Sequence, residues 1–532
     1  MTRTVLDPRV ADPAWGTAPL GTRTPRHLRL LLTLNLLATS WYFGWLLDPA
    51  RVGNPGLYAV LVVAEGLNLV QALGFWWTLA GERRFARGRP GSSAGGPAAV
   101  ERPSVDVLVP RYSEPVEIVE PTLAAAVRLR GGDVRVWLLD DGDSDEMAAL
   151  AKRVGAGYLR RHEHTGAKAG NINAALARTS GEYVLVLDCD HVPHPDFLVR
   201  TLPAMADPHV AFVQTPQHYA NSTGNPVAAA AWSQQALFFG CIARGKNVRG
   251  AMFCCGTNVV FRRAALDDVD GFPEDSVTED FLLSVRLQER GWRTEYVAEV
   301  LAQGLGPEDM ASYASQQLRW ARGCLSAIPT TLRSNLSPRL KAQYLLSSAY
   351  FLSGWTVVVY MMLPVSRILL GAQPLAVSGA DQFLAHFAPY FALSLLTVAV
   401  AGAGRYTFAA YSMAAAGFWI HVSASLAVLL RRRGRFVVTP KSGSVGWQPR
   451  AVWPALAAIG VLLGSCAVGL AHARDAAMLN NVTFALLHVV VLTSGVSGAL
   501  SPQWARRLTA PTRTGTATEP TVEPAAEPVV VP

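Results

Sequence analysis

The sequence predicts a mostly parallel α/β domain, facing the cytosol, inserted between the helices of a multi-pass α-helical transmembrane protein. Half of its 532 residues are hydrophobic and only 16% are charged, a balance that excludes a disordered chain or an ordinary soluble one. Several stretches reach the roughly 20 consecutive apolar residues that a bilayer-spanning helix needs. From Val105 to Leu336 none does, and short β-branched runs alternate there with helical segments.

Residues 1–26 lack the apolar core and small-residue cleavage site of a signal peptide and read as a disordered N-terminus before an uncleaved first span. Region 27–80 holds two transmembrane helices, Leu28 to Leu47 and Gly56 to Ala80, separated by a short Pro/Gly/Asn turn. The cluster Arg83, Arg84, Arg87 and Arg89 follows, so the next segment starts in the cytoplasm. Region 81–104 is a Pro/Gly/Ser-rich linker.

Region 105–336 is the α/β domain. Its apolar runs are Val105 to Val109, Val134 to Leu139, Tyr183 to Leu187, Val210 to Val213 and Val259 to Phe261. Runs this short and this apolar predict strands buried on both faces. Region 341–404 adds two transmembrane helices (Gln343 to Leu363, Phe383 to Gly404), and 451–500 two more (Val452 to Leu470, Val482 to Leu500). Tyr406 to Leu430 is apolar enough for a seventh span. However, Arg431, Arg432, Arg433 and Arg435 should share the cytoplasmic side with Arg506 and Arg507. Six spans satisfy this if 405–450 is an interfacial helix followed by a loop. Region 501–532 reads as a disordered tail.

The net charge of +8, from 47 basic and 39 acidic residues, gathers beside apolar spans and not along one face, which argues against a nucleic-acid partner. Six cysteines form no CxxC pair and suggest neither a structural zinc nor a disulfide framework.

Working residues of α/β sheets sit at the carboxyl ends of strands. Here one predicted strand ends in Asp140-Asp141-Gly142 and another in Asp188-Cys189-Asp190-His191. Two carboxylates and an imidazole in one place repel unless a cation offsets them. Oxygen-rich ligation suits Mg²⁺ or Mn²⁺, which also bind substrate phosphates. Lys168 opens a helical stretch, where a cation and free N–H groups favour anions. Thr278-Glu279-Asp280 precedes the amphipathic run Phe281 to Arg290, so Thr278 can cap a helix while a carboxylate there accepts a proton. Gln316, Arg319 and Trp320 fall within one helical turn and offer a pyrophosphate grip beside an apolar face for a sugar ring.

Eight motifs in order, from Val105 to Lys441, resemble the catalytic subunits of bacterial cellulose synthases among the processive family 2 glycosyltransferases. They are Asp140-Asp-Gly142, Lys168-Ala-Gly-Asn171, Asp188-Cys-Asp-His191, Phe212-Val-Gln-Thr-Pro-Gln217, Phe253-Cys-Cys-Gly-Thr-Asn258, Thr278-Glu-Asp280, Gln316-Gln-Leu-Arg-Trp320 and Phe436-Val-Val-Thr-Pro-Lys441.

The resemblance implies a GT-A (Rossmann-like) domain that takes a UDP-sugar donor. Asp140 or Asp141 would lie near uridine, and Asp188, Asp190 and His191 would surround a metal-bound diphosphate. Lys168, Gln316 and Arg319 would hold the donor, and Phe436, Thr439 and Lys441 would close over it as a gating loop. Asp280, flanked by Thr278 and Glu279, would be the base of an inverting transfer. Trp320, Cys255 and Gly256 would meet the growing glucan at the mouth of a channel through the lipid bilayer. The implied setting is a bacterial plasma membrane with the catalytic domain in the cytoplasm and an accessory subunit outside it.

Two departures stand out. Arg111-Tyr112-Ser113-Glu114 replaces the family's Thr-Tyr-Asn-Glu-like stretch, and no cyclic-di-GMP-binding PilZ domain follows the last span, so regulation by that nucleotide through this chain is not expected. Thr-Glu-Asp leans toward glucan synthases, but curdlan-like, mixed-linkage, hyaluronan- or chitin-like products, or a glycolipid, are alternatives. A transporter or scaffold with a degenerate nucleotide-binding domain should have lost the acids that this chain keeps at 188, 190 and 280.

Overall fold

The computed structural model describes residues 28–85, 102–274, 276, 278–376, 379–431, 447–472 and 476–500. The N-terminus 1–26, the tail 501–532, most of the linker and the loop carrying Phe436, Thr439 and Lys441 lie outside the described residues.

The strands are β1 (Ser104–Arg111), β2 (Asp133–Asp140), β3 (Gly157–Arg160), β4 (Tyr183–Val186), β5 (Val192–Pro193), β6 (Val210–Gln214), β7 (Val259–Arg262), β8 (Arg293–Tyr296) and β9 (Ala302–Gln303). Seven form one sheet in the order β3-β2-β1-β4-β7-β6-β8, and β5 pairs with β9. β1 runs parallel to β2 and β4, β2 to β3, and β6 to β8; β7 runs against both of its neighbours.

All five predicted runs are strands, and β1 demonstrates why they read as apolar runs. Val105, Val107 and Val109 belong to the core on one face of the sheet and Leu108 to the core on the other, all fully buried. Both faces therefore demand apolar side chains. The sequence reading missed β3 and β8 because they are sheet edges, where Arg160, Arg293 and Glu295 interrupt any apolar run.

At the far end of β1, Asp106 is fully buried and accepts hydrogen bonds from Trp137 Nε1 (3.1 Å), the Gly181 N–H (2.6 Å) and Arg263 (3.0 Å). Arg263 also donates to the Gly181 and Leu176 carbonyls. Removing one partner of a buried pair strands the other charge, so Arg263→Met should destabilise the domain by about 3–5 kcal/mol. Thermal unfolding of the solubilised full chain measures this, and an unchanged midpoint would refute it.

Among the described residues five helices are long and apolar enough to cross a membrane: Pro55–Gly81, Pro338–Leu370, Asp381–Ala401, Trp453–His472 and Ala476–Leu500. They flank the α/β domain on both sides, as expected of a membrane-inserted protein. The first helix, Leu28–Leu46, carries Arg29, Thr33, Asn35, Thr39 and Ser40 and is not among the five. It joins the helix Ala380–Ala401 through Asn35, whose amide donates to Thr397 Oγ1 (2.6 Å). In place of the single helix expected over Tyr406 to Leu430 there are two, Phe408–Ala416 and Phe418–Leu429, bent by 41°. The break falls at Gly417, which lacks the side chain that would help hold a continuous helix.

The helix Met310–Ser326 links the two layers. Its Leu318, Ala321 and Leu325 pack with Phe351, Ala424 and Val428 of the apolar helices.

Candidate active site

The carboxyl ends of β1, β2 and β4 and the segment entering the antiparallel β7 meet at one edge of the sheet. There a cavity of about 660 Å³ opens, with Asp141, Lys168, Asp188, Asp190, His191, Cys255, Gly256, Thr278, Glu279, Asp280, Gln316, Arg319 and Trp320 in its wall. With Gln217 also in the wall, residues scattered over seven of the eight motifs share one space.

The two acids at the end of β2 differ. Asp140 is fully buried and is not in the cavity wall. Its Oδ1 accepts from the Gly142 N–H (2.8 Å) and Arg111 (2.9 Å), and its Oδ2 from the Ser144 N–H (2.8 Å) and the Tyr158 hydroxyl (2.7 Å). Burial raises its pKa, but the donors from Ser144, Tyr158, Arg111 and Gly142 together pull it below the usual carboxylate value. Asp140 thus anchors the turn, with both carboxylate oxygens engaged by hydrogen bonds within the domain. Asp141 is gripped by Arg161 through both oxygens (2.7 and 2.6 Å), with His164 Nδ1 at 3.9 Å. Arg161 also donates to the Thr165 and Ala167 carbonyls, tying the loop before Lys168 to Asp141.

The helix Ala167–Leu176 starts one residue before Lys168, as the sequence indicated. Lys168 Nζ bonds to Asp188 and to the Gly256 carbonyl (2.7 Å). Burial pulls this ammonium's pKa down, but Asp188 and Glu279 outweigh it and hold it above the ordinary lysine value. Lys168 is therefore charged and available to an anion at physiological pH.

Ligand atoms of Asp188, Asp190 and His191 lie within 4.8 Å of one another. His191 Nδ1 is 3.1 Å from Asp190 Oδ1, while its buried Nε2 has no hydrogen-bond partner. Two carboxylates and an imidazole gathered this closely are a donor set that fits a hard divalent cation. The short β5–β9 ladder brings the loop after Gln303 to this place, and the Leu305 N–H donates to Asp190 Oδ2 (3.2 Å).

Glu279 and Asp280 form the first turn of the helix Glu279–Glu289. Asp280 Oδ1 accepts the Phe281 N–H (2.8 Å). Burial first, and then the charge of Glu279, push the Asp280 pKa up to about 7, and burial raises that of Glu279 as well. A carboxylate tuned to that value is suited to taking a proton. Thr278, expected to cap this helix, makes no capping hydrogen bond; its Oγ1 is buried without a partner. Across the cavity, Gln316, Arg319 and Trp320 lie on one face of the helix Met310–Ser326, and the charge of Arg319 reaches both Glu279 and Asp280.

Sequence reasoning missed Arg161, His164 and Glu308, the last two of which line the cavity. No local pattern marks Arg161 as the partner of Asp141. Arg111, noted as a departure, turns out to anchor Asp140, and its neighbours Tyr112 and Glu114 remain in the cavity wall.

Residues 183–404 match the family model described as glycosyl transferase family group 2. The chain is 30% identical over 426 residues to the cellulose synthase 1 catalytic subunit (UDP-forming) of Komagataeibacter xylinus, covering 75% of this chain and 56% of that one. It is 39% identical over 232 residues to the cellulose synthase catalytic subunit (UDP-forming) of Xanthomonas axonopodis pv. citri, covering 42% and 31%. The chain spans between 22% and 56% of the length of these and similar curated relatives. Its structure is similar to that of the mannosyltransferase PcManGT from Pyrobaculum calidifontis in complex with GDP-Man and Mn²⁺, with a TM-score of 0.51 at 18% identity, covering 71% of this chain and 100% of that one. The GT-A fold that the motifs implied is borne out.

Proposed function

The chain carries a family group 2 glycosyltransferase domain and is a homologue of bacterial cellulose synthase catalytic subunits, and on that premise we propose that it is a processive, inverting β-glycosyltransferase. It polymerises glucose from UDP-glucose into a cellulose-like β-glucan and passes the product across the plasma membrane. The observation that carries this reading is the single cavity joining the Asp188–His191 cluster, Lys168, Asp280 and the face of Gln316, Arg319 and Trp320.

In this reading the nucleoside lies toward Asp141, and Lys168 and Arg319 face the diphosphate. Asp188, Asp190 and His191 hold Mg²⁺, which when bound offsets the negative charge that develops on the leaving diphosphate. Trp320 supports the terminal sugar of the growing glucan. Asp280 takes the proton of the acceptor hydroxyl as its oxygen bonds to the anomeric carbon. The bond from that carbon to the diphosphate breaks on the opposite side, UDP departs, and an α-linked donor yields a β-linkage. Lys168 and Arg319 stabilise the departing charge from fixed positions, which is where preorganised electrostatics act most strongly.

The arginine clusters at 83–89, 431–435 and 506–507 support a cytoplasmic domain under the positive-inside rule. Phe436, Thr439 and Lys441 close over the nucleotide, and an accessory subunit receives the polymer outside. A glucan is too polar to cross lipid unaided, so a synthase set among apolar helices is a sensible architecture for export.

The test is incubation of the purified full chain in lipid vesicles with Mg²⁺ and labelled UDP-glucose. UDP release and a labelled polymer cut by a cellulase specific for β-1,4 linkages are expected. Protein that binds UDP but turns over only another UDP-sugar, or a product resistant to that cellulase, refutes the donor or the linkage respectively.

A further inference from the structure

Gln316, Arg319 and Trp320 have a fourth companion on the same helical face. Gly323 follows Trp320 by three residues, one turn further along the helix Met310–Ser326. A glycine within a helix weakens it relative to alanine, so this position calls for a physical reason. A Cβ placed at 323 would lie 2.6 Å from the Cβ of Thr278 and closer still to its Cγ2 and Oγ1. Thr278 cannot step aside easily. Its β-branched side chain is stiff at χ1, only 6% of it is exposed, and with no hydrogen bond to Oγ1 it is held by contact alone.

We propose that Gly323 is a positioning residue: it is the seat on which Thr278 rests, and through that contact it sets Asp280 relative to Arg319 and Trp320. The inference rests on the reading of Asp280 as the base. Two further contacts flank this site. Upstream, Asn173 donates to the Phe272 carbonyl (2.9 Å) and to Glu274 Oε1 (2.8 Å), tying the approach to the helix that carries Lys168. Downstream, Gly256 adopts φ +82° and a Cβ there would meet Asp280 Oδ2 at 2.9 Å, so the carboxylate has a wall on its other side. Thr278 is the residue before the helix whose first turn carries Asp280, so a shift at Thr278 passes to Asp280, two residues on.

Misplacing a reacting group by about 1 Å costs on the order of 10²-fold in rate, so Gly323→Ala should lower kcat about 100-fold while leaving KM for UDP-glucose within about twofold. Thr278→Gly lacks all three side-chain atoms that the new methyl group meets, Cβ, Cγ2 and Oγ1. Added to Gly323→Ala, it should recover about tenfold or more of the lost rate if relieving the clash restores the near-attack geometry. The pH midpoint of kcat should also move in Gly323→Ala and return in the double variant. Wild-type kcat in Gly323→Ala, or a loss that Thr278→Gly leaves untouched, overturns the proposal. If the wild type itself released no UDP from UDP-glucose, the proposed reaction would fail separately. The seat is then read from the same two substitutions in thermal unfolding of the full chain, where non-additive midpoints support the contact and additive ones overturn it.

Discussion

Asp280→Asn is expected to reduce UDP release from UDP-glucose by about 10²–10⁴-fold, the range that a positioned proton acceptor contributes. Asparagine keeps the shape of the side chain but cannot accept the proton of the acceptor hydroxyl, so UDP binding should stay near the wild-type value. The environment of Asp280 adds a pH signature. Burial and the neighbouring Glu279 raise its pKa to about 7, while Lys168 and Arg319 pull against them. Below that pH the carboxyl is protonated and idle; above it the carboxylate is available. Turnover should therefore rise with pH through about 7 and then level off. Glu279→Gln removes the second-largest cause of the shift and should move the midpoint to lower pH. Turnover of Asp280→Asn within tenfold of the wild type would remove Asp280 as the base.

Chelation of divalent cations is expected to lower turnover by at least about 10²–10³-fold, the scale on which one preorganised electrostatic contact acts. Mg²⁺ or Mn²⁺ should restore it. Asp190→Ala should reproduce the loss without restoration. The physical basis is crowding of charge: ligand atoms of Asp188, Asp190 and His191 lie within 4.8 Å of one another, and Lys168 offsets only part of it through Asp188. A second measurement separates metal binding from catalysis. Mn²⁺ titrated into the full chain and followed by electron paramagnetic resonance should bind at one tight site when UDP is present, and Asp190→Ala should weaken that site. Undiminished turnover in excess chelator would count against a metal-assisted reaction altogether.

The acids of the site were legible because α/β topology delivers the carboxyl ends of parallel strands to one edge, and Asp141, Asp188 and Asp190 directly follow apolar runs. Lys168 and the Gln316–Trp320 turn were legible for a related reason: helix starts and helical spacing are local properties. The distinct work of Asp140 and Asp141 was not. Both occupy one strand end in sequence, and only the three-dimensional arrangement of Arg111, Tyr158 and Arg161 turns the first into an anchor and leaves the second in the cavity wall.

By itself the sequence determined the class of the molecule: apolar lengths that suit a bilayer, five inner strands apolar on both faces, and a run of motifs carrying acids, a lysine and an arginine in a known order. Each of these is written in a short window of residues, through length, periodicity or a turn. The tertiary structure decided the rest. It made β7 antiparallel, placed the polar edge strands β3 and β8, joined Arg161 to Asp141 and set Thr278 on Gly323. These are contacts between segments distant along the chain, so their partners leave no mark on the residues beside them and exist only once the sheet and the helices have packed.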